Sequence, residues 1–176
     1  MLLLILAFHL FLLANNQFTL WPEMVVYPYL LNNGFALYKD LINPYPPALS
    51  ILLALFAKMV GYNPLPYQLL TWLIIIVSDL LIFWVAKKIT QDNQLAIASL
   101  AFFVLVSPAF GINGLWFDLV QTPLIILAVY YFYQFLRNSQ NSKSLFYAVA
   151  LTTFALMIKQ QVIWLVFWFL AVFIFK

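Results

Sequence analysis

The side chains able to do chemistry are few. The 176 residues include eight Lys/Arg, five Asp/Glu and a single His. Glu23, Lys39, Asp40, Lys58, Asp118 and Lys159, together with Gln160 and Gln161, fall on one face of the topology derived below. Carboxylates there can accept hydrogen bonds or protons, and the lysines beside them can meet anionic groups. In so charge-poor a chain, such a gathering suggests a site for a polar or ionic substrate. The plainer alternative is a solvated loop that needs charge to stay in water. Glu23 could be a solvated loop acid, and Asp40 could simply close a turn. Lys58 and Lys159 could lay their stems along the membrane with the ammonium at its surface. Asp118 opens an apolar run, where an acid serves equally well as a helix cap.

These residues need elements to hold them, and the composition says of what kind. Hydrophobic residues make up 66% of the chain and aromatic residues 19%, while charged residues reach only 7%, and the mean hydropathy is +1.02. Soluble domains carry about 25% charged residues, so the polar surface of a water-soluble globule is missing. The aliphatic and aromatic content also excludes disorder. The formal charge of +3, spread without a basic cluster, gives no nucleic-acid signal. Cysteine is absent, which removes disulfides and thiolate metal sites. The expected fold is all-α: a polytopic transmembrane helix bundle, one membrane-embedded domain over residues 1–176, with a long external first loop and an interfacial helix.

Residues 1–14 read as a first transmembrane segment; they lack the basic start and the small-residue cleavage pattern of a secretory signal. Residues 15–47 are rich in Asn and Pro and carry Glu23, Lys39 and Asp40, so they read as an external loop. The loop's aromatics (Trp21, Tyr27, Tyr29, Phe35, Tyr38 and Tyr45) argue against disorder. Residues 48–60 are too short to cross a bilayer and stop at Gly61, which suits an interfacial helix. Transmembrane helices are expected over 69–86, 95–110, 119–136, 145–158 and 162–175. Lys87, Lys88, Arg137 and Lys143 sit in two loops that share the cytoplasmic side if residues 48–60 do not cross. The outer side then receives the long loop, the loop before Asp118 and the Lys159–Gln161 corner. A multi-pass protein of the cell membrane, its site facing outward, is the expectation.

The order of residues in the loop carries a resemblance. Trp21-Pro22-Glu23 is followed by Tyr27-Pro28-Tyr29, Asn33-Gly34, Tyr38-Lys39-Asp40 and Pro46-Pro47-Ala48-Leu49, and then by an apolar run to Gly61. This resembles the first external loop of the GT-C superfamily of membrane glycosyltransferases, and is similar to the protein mannosyltransferases and aminoarabinose transferases. The resemblance extends more weakly to Trp116-Phe117-Asp118 and to Lys159-Gln160. It implies transfer of a sugar, with inversion, from a polyprenyl-phosphate donor to a glycan, lipid or protein acceptor hydroxyl. It further implies Glu23 and Asp40 as catalytic residues, and Tyr38, Lys58, Asp118, Lys159 and Gln160 as substrate-binding residues. No cofactor is fixed by it, and a divalent metal ion is left open. The family shows Asp or an acidic pair where this chain has Pro22-Glu23, and its members run longer. The chain therefore looks like an N-terminal fragment.

Two ionisable residues lie apart from this pattern. His9 stands in the first apolar segment, where a lone histidine is more often packed than catalytic. Asp79 sits near the middle of the 69–86 span, where it must face the bundle, protonated or paired. No membrane-embedded basic partner for it stands out in the sequence. A proton relay through Asp79 would make the chain a transporter or channel-like protein, and a non-catalytic membrane fragment is the third possibility. A transporter, however, has no need of a long aromatic outer loop with acids ahead of a surface helix.

Overall fold

Strong local signals set the helix boundaries. The computed structural model describes residues 1–138 and 140–175. Ser139, in a loop expected on the cytoplasmic side, and Lys176 lie outside them. Helix α1 covers Leu2–Asn15 and α3 covers Ala48–Val60. Helix α4 runs over Pro64–Thr90. It starts where the Asn63 side chain accepts from the Leu65 amide at 3.1 Å with proline at the first helical position, and ends on Lys87, Lys88 and a left-handed Gln91 (φ 56°). Asp92 caps α5 (Asn93–Val106) by accepting from the Gln94 and Leu95 amides. Helix α6 spans Phe117–Arg137, α7 spans Ser142–Leu156 behind an Asn141 cap, and α8 spans Ile163–Ile174. Short 3₁₀ turns follow α5 and precede α8.

The segment expected to be loop, residues 15–47, contains two further elements. Strand β1 (Thr19–Leu20) pairs in parallel with β2 (Gly114–Leu115), and helix α2 covers Glu23–Asn32. The prolines that argued for a loop are compatible with α2. Pro22 stands at its N-cap, where a missing N–H costs nothing, and Pro28 removes one internal hydrogen bond.

Nearly all the ordered structure is α-helical, with eight α-helices among the described residues. Two of them, α4 and α6, are long and apolar enough to cross a membrane. The other apolar helices are shorter. Helix α4 packs against α5 and α6, α6 packs against α7, and α2 packs against α3. Much of the outer surface is apolar: Leu4, Phe11, Leu73, Phe102, Leu105, Phe146, Trp164 and Phe173 are all exposed. A soluble protein rarely leaves so much contiguous apolar surface uncovered. The hydroxyls within α4 stay satisfied locally, since Thr71 and Ser78 donate to the carbonyls of Tyr67 and Ile74.

One polar cluster crosses the helices. His9 of α1 and Asp79 of α4 are fully buried, with His9 Nδ1 2.7 Å from Asp79 Oδ2. His9 Nε2 lies 3.1 Å from Ser107 Oγ. Asp79 therefore has the basic partner that the sequence did not reveal, on a helix 70 positions earlier. Asn113 adds a second tie. It donates to the carbonyls of Leu13 and Asn16 and accepts from Trp72 Nε1, which satisfies the C-terminal end of α1.

Candidate active site

A buried apolar cluster of Met24, Leu49, Leu53, Tyr67, Leu115, Phe117 and Ile158 draws α2, α3, α4, α6 and the end of α7 together. The polar residues of interest stand at the rim of this cluster. Phe117 is buried in it, so Asp118, the next residue, is carried to the surface at the first turn of α6. The Asp118 side chain makes no capping bond to the helix backbone. Instead Lys159 Nζ donates to both carboxylate oxygens, at 2.8 and 2.7 Å, and Gln121 Nε2 donates to Oδ1 at 3.1 Å. The Lys159 side chain is 9% exposed and that of Asp118 is 54% exposed. The ammonium is thus held under the carboxylate, with one of its three N–H groups unused by this pair.

The segment from Pro44 to Ala48 forms a strap over this corner. Gln160 Nε2 donates to the Pro44 carbonyl at 3.1 Å, and the Ala48 amide donates to the Met157 carbonyl at 3.1 Å. The Tyr45 ring stacks on Phe117 with centroids 4.0 Å apart and meets Trp116 edge-on. The Tyr38 hydroxyl donates to the Tyr45 carbonyl at 2.7 Å, from a backbone in the left-handed region (φ 67°). Such a conformation in a bulky residue is held only by its surroundings.

Glu23 begins α2. Its Oε2 is buried and has no hydrogen-bond partner. The Tyr27 phenol is pushed above the usual tyrosine range, first by burial, then by the nearby Glu23 carboxylate, then by Tyr45. It stays protonated near neutral pH and donates to the Ile42 carbonyl at 3.1 Å. Burial likewise raises the Tyr38 phenol. Glu23, Tyr27 and Tyr45 therefore share one electrostatic neighbourhood, and Tyr45 joins it to Phe117 and the Asp118–Lys159 pair.

Of the residues singled out in the sequence, Tyr38 and Gln160 bond to this strap, Asp118 and Lys159 pair beside it, and Glu23 is related to it only through its charge on the Tyr27 phenol. Asp40 closes a local turn by accepting from the Ala36 amide at 2.8 Å. Lys58 is exposed in the last turn of α3, and Lys39 is exposed in its loop. Gln121 escaped notice, although its spacing of three from Asp118 on a helix is the local signal that pairs them. Among the described residues, no group of three or more His, Asp or Glu side chains gathers at one point.

A family model described as dolichyl-phosphate-mannose-protein mannosyltransferase matches residues 44–176. The match includes Lys58, Asp118, Lys159 and Gln160, and begins after Glu23 and Asp40. No curated protein and no solved structure matches the chain.

Proposed function

The chain belongs to the dolichyl-phosphate-mannose-protein mannosyltransferase family, a group of GT-C-type membrane glycosyltransferases, and from that premise we propose that it takes part in moving a sugar from a polyprenyl-phosphate donor to an acceptor hydroxyl. The reaction runs at the outer membrane face of a multi-pass helical bundle. Glu23 takes the acceptor's proton as the acceptor oxygen bonds to the anomeric carbon. The bond from that carbon to the phosphate oxygen breaks, its electron pair leaves with the polyprenyl phosphate, and attack from the opposite side inverts the anomeric centre. Lys159, with an N–H left over from Asp118, and Lys58 are the cations offered to the leaving phosphate. Tyr38 and Gln160 hold the strap, and Asp118 fixes Lys159. Asp40 acts at a distance, by shaping the turn that carries Tyr38.

One observation carries this reading. Glu23 keeps a buried carboxylate oxygen without a donor, in a neighbourhood linked through Tyr45 to the family-matched corner of Asp118 and Lys159. A base must have a free lone pair to receive a proton. Asp79 Oδ1 is likewise unbonded, but that side chain has no exposed surface and its other oxygen is held by His9, so transport through it is the weaker reading.

The test is Glu23→Gln, assayed in membranes with polyprenyl-phosphate-linked sugars. Glutamine keeps the size and the hydrogen-bonding capacity but cannot take the proton. Turnover should fall by about 100- to 10,000-fold while donor binding is retained. Transfer by the variant at the wild-type rate would overturn the assignment of the base. Failure of the wild-type protein to consume any lipid-linked sugar would overturn the reaction.

A further inference from the structure

Beside the Asp118–Lys159 pair, between the start of α6 and the paired strands, lies a cavity of about 300 Å³. Its lining includes Trp21, Trp116, Gly114, Asp118 and Thr122. The two indoles form one wall, with ring centroids 5.0 Å apart and planes tilted by 50°. Trp21 is 46% exposed. Neither indole N–H has a hydrogen-bond partner among the described residues. Thr122 donates its hydroxyl hydrogen to the Asp118 carbonyl at 2.7 Å, which leaves the oxygen lone pairs as acceptors. Gly114 lets the paired strand beside the cavity approach closely. A Cβ there would stand 3.2 Å from the Thr19 carbonyl oxygen and 3.8 Å from Trp21 Nε1.

We propose that this cavity is a subsite for a neutral hexopyranose ring, seated on Trp21 and Trp116 and hydrogen-bonded at its edge to Asp118 and Thr122. A pyranose has an apolar C–H face and a rim of hydroxyls, which matches an aromatic wall bordered by acceptors and an indole donor. A phosphate is disfavoured inside the cavity because the lining includes the Asp118 carboxylate and not the Lys159 ammonium. A purely apolar guest would leave the indole N–H groups unpaired and would dry the Asp118 carboxylate, which keeps an acceptor site beyond its bonds to Lys159 and Gln121. The proposal rests on the glycosyl-transfer reading and deepens it by naming where a sugar is held; the sugar is that of the donor or that of a glycan acceptor.

The experiment uses the chain carrying 5-fluorotryptophan, in lipid nanodiscs free of sugar detergents. Its six tryptophans give separate fluorine resonances, assigned by single Trp→Phe replacements. Titration with methyl hexopyranosides should shift the Trp21 and Trp116 signals saturably and leave Trp72, Trp84, Trp164 and Trp168 in place. Trp21→Ala should weaken the binding roughly threefold to tenfold, and Trp21→Phe should restore most of it. A shift with polyprenyl-phosphate hexose but none with sugar-free polyprenyl phosphate assigns the subsite to the donor. A shift with the free glycoside alone assigns it to the acceptor. Silent Trp21 and Trp116 resonances, or equal shifts at all six positions, overturn the subsite. If those resonances stay silent while Glu23-dependent transfer proceeds, the subsite fails and the reaction stands. If they shift while no lipid-linked sugar is consumed, the reaction fails and the subsite stands.

Discussion

Among the described residues, two acid–base pairs are built from positions far apart in sequence, and they differ in what surrounds them. His9 and Asp79 are sealed, both side chains at 0% exposure, between α1 and α4 with Ser107 against the ring. Lys159 and Asp118 meet at the edge of the helices, where the acid is half in water and borders a cavity. In the sealed pair the proton positions are nearly fixed. With the Ser107 hydroxyl hydrogen assigned to the Val104 carbonyl at 2.9 Å, the matching tautomer has His9 Nε2 donating to Ser107 Oγ. A single further proton lies between Nδ1 and Oδ2, and the pair is neutral overall wherever it sits. Such an arrangement can hold α1 in place; a cavity of about 160 Å³ reaches the His9 and Ser107 side of it, but neither member of the pair has any exposed surface. The open pair keeps an unused N–H on Lys159 and an accessible carboxylate on Asp118. Burial makes an ion pair a structural part, while partial exposure beside a cavity leaves it free for chemistry.

The strongest way to break this comparison is to remove one member of the sealed pair. Asp79→Leu or His9→Leu leaves a buried polar partner with nothing to bond, at a cost on the order of 2–5 kcal/mol. The double replacement should recover most of that loss, because two apolar side chains in the same space leave nothing unpaired. Denaturant unfolding in mild detergent measures all three variants. Single variants as stable as the wild type would show that the pair does not hold α1.

The open pair should behave asymmetrically. Lys159→Met leaves Asp118 able to take up water, so the loss should stay below about 1 kcal/mol. Asp118→Asn strands a largely buried ammonium and should cost about 1–3 kcal/mol, eased if the lysine stem swings its head outward. The same unfolding measurement decides it. Equal losses from the two variants would mean that the exposure of Asp118 has no energetic consequence, and the contrast with the sealed pair would weaken.

The contrast also explains what could be read from the sequence. Residues 48–60 form the helix expected of them because Pro47 and Gly61 bracket an uninterrupted apolar run, and local signals of that kind survive folding. Asp118 and Lys159 stood out because charges are rare in this chain, yet nothing local said that they touch, since 41 positions separate them. Asp79 was legible as a residue needing a partner. His9 was not legible as that partner, because a lone histidine in an apolar helix carries no mark of its neighbour. Helix α2 was hidden by its own prolines, whose helix-breaking reputation depends on position: Pro22 at the cap is harmless. The parallel pairing of Thr19–Leu20 with Gly114–Leu115 had no signal at all, because strands of two residues are too short to show alternation.

The smallest expected effect sharpens the comparison most finely. Asp79→Asn keeps the shape of the side chain and removes only its capacity to carry charge. If the shared proton resides on the acid, Asp79 donates to His9 Nδ1 as a carboxylic acid. An asparagine amide N–H can then make the same bond, with Nε2–H still directed at Ser107. Stability and protein level in the membrane should change by less than about 1 kcal/mol, the scale of one ordinary hydrogen bond. If the proton resides on the ring, the native pair is an imidazolium facing a carboxylate. The amide would then leave the ring to discharge or to stay buried and uncompensated, with a loss nearer that of Asp79→Leu. Unfolding of Asp79→Asn beside Asp79→Leu, in one detergent and at one pH, separates the two. The neutral form is the expected outcome, since a fully buried carboxylate with one oxygen unbonded, as Oδ1 is, is far cheaper to hold protonated than charged.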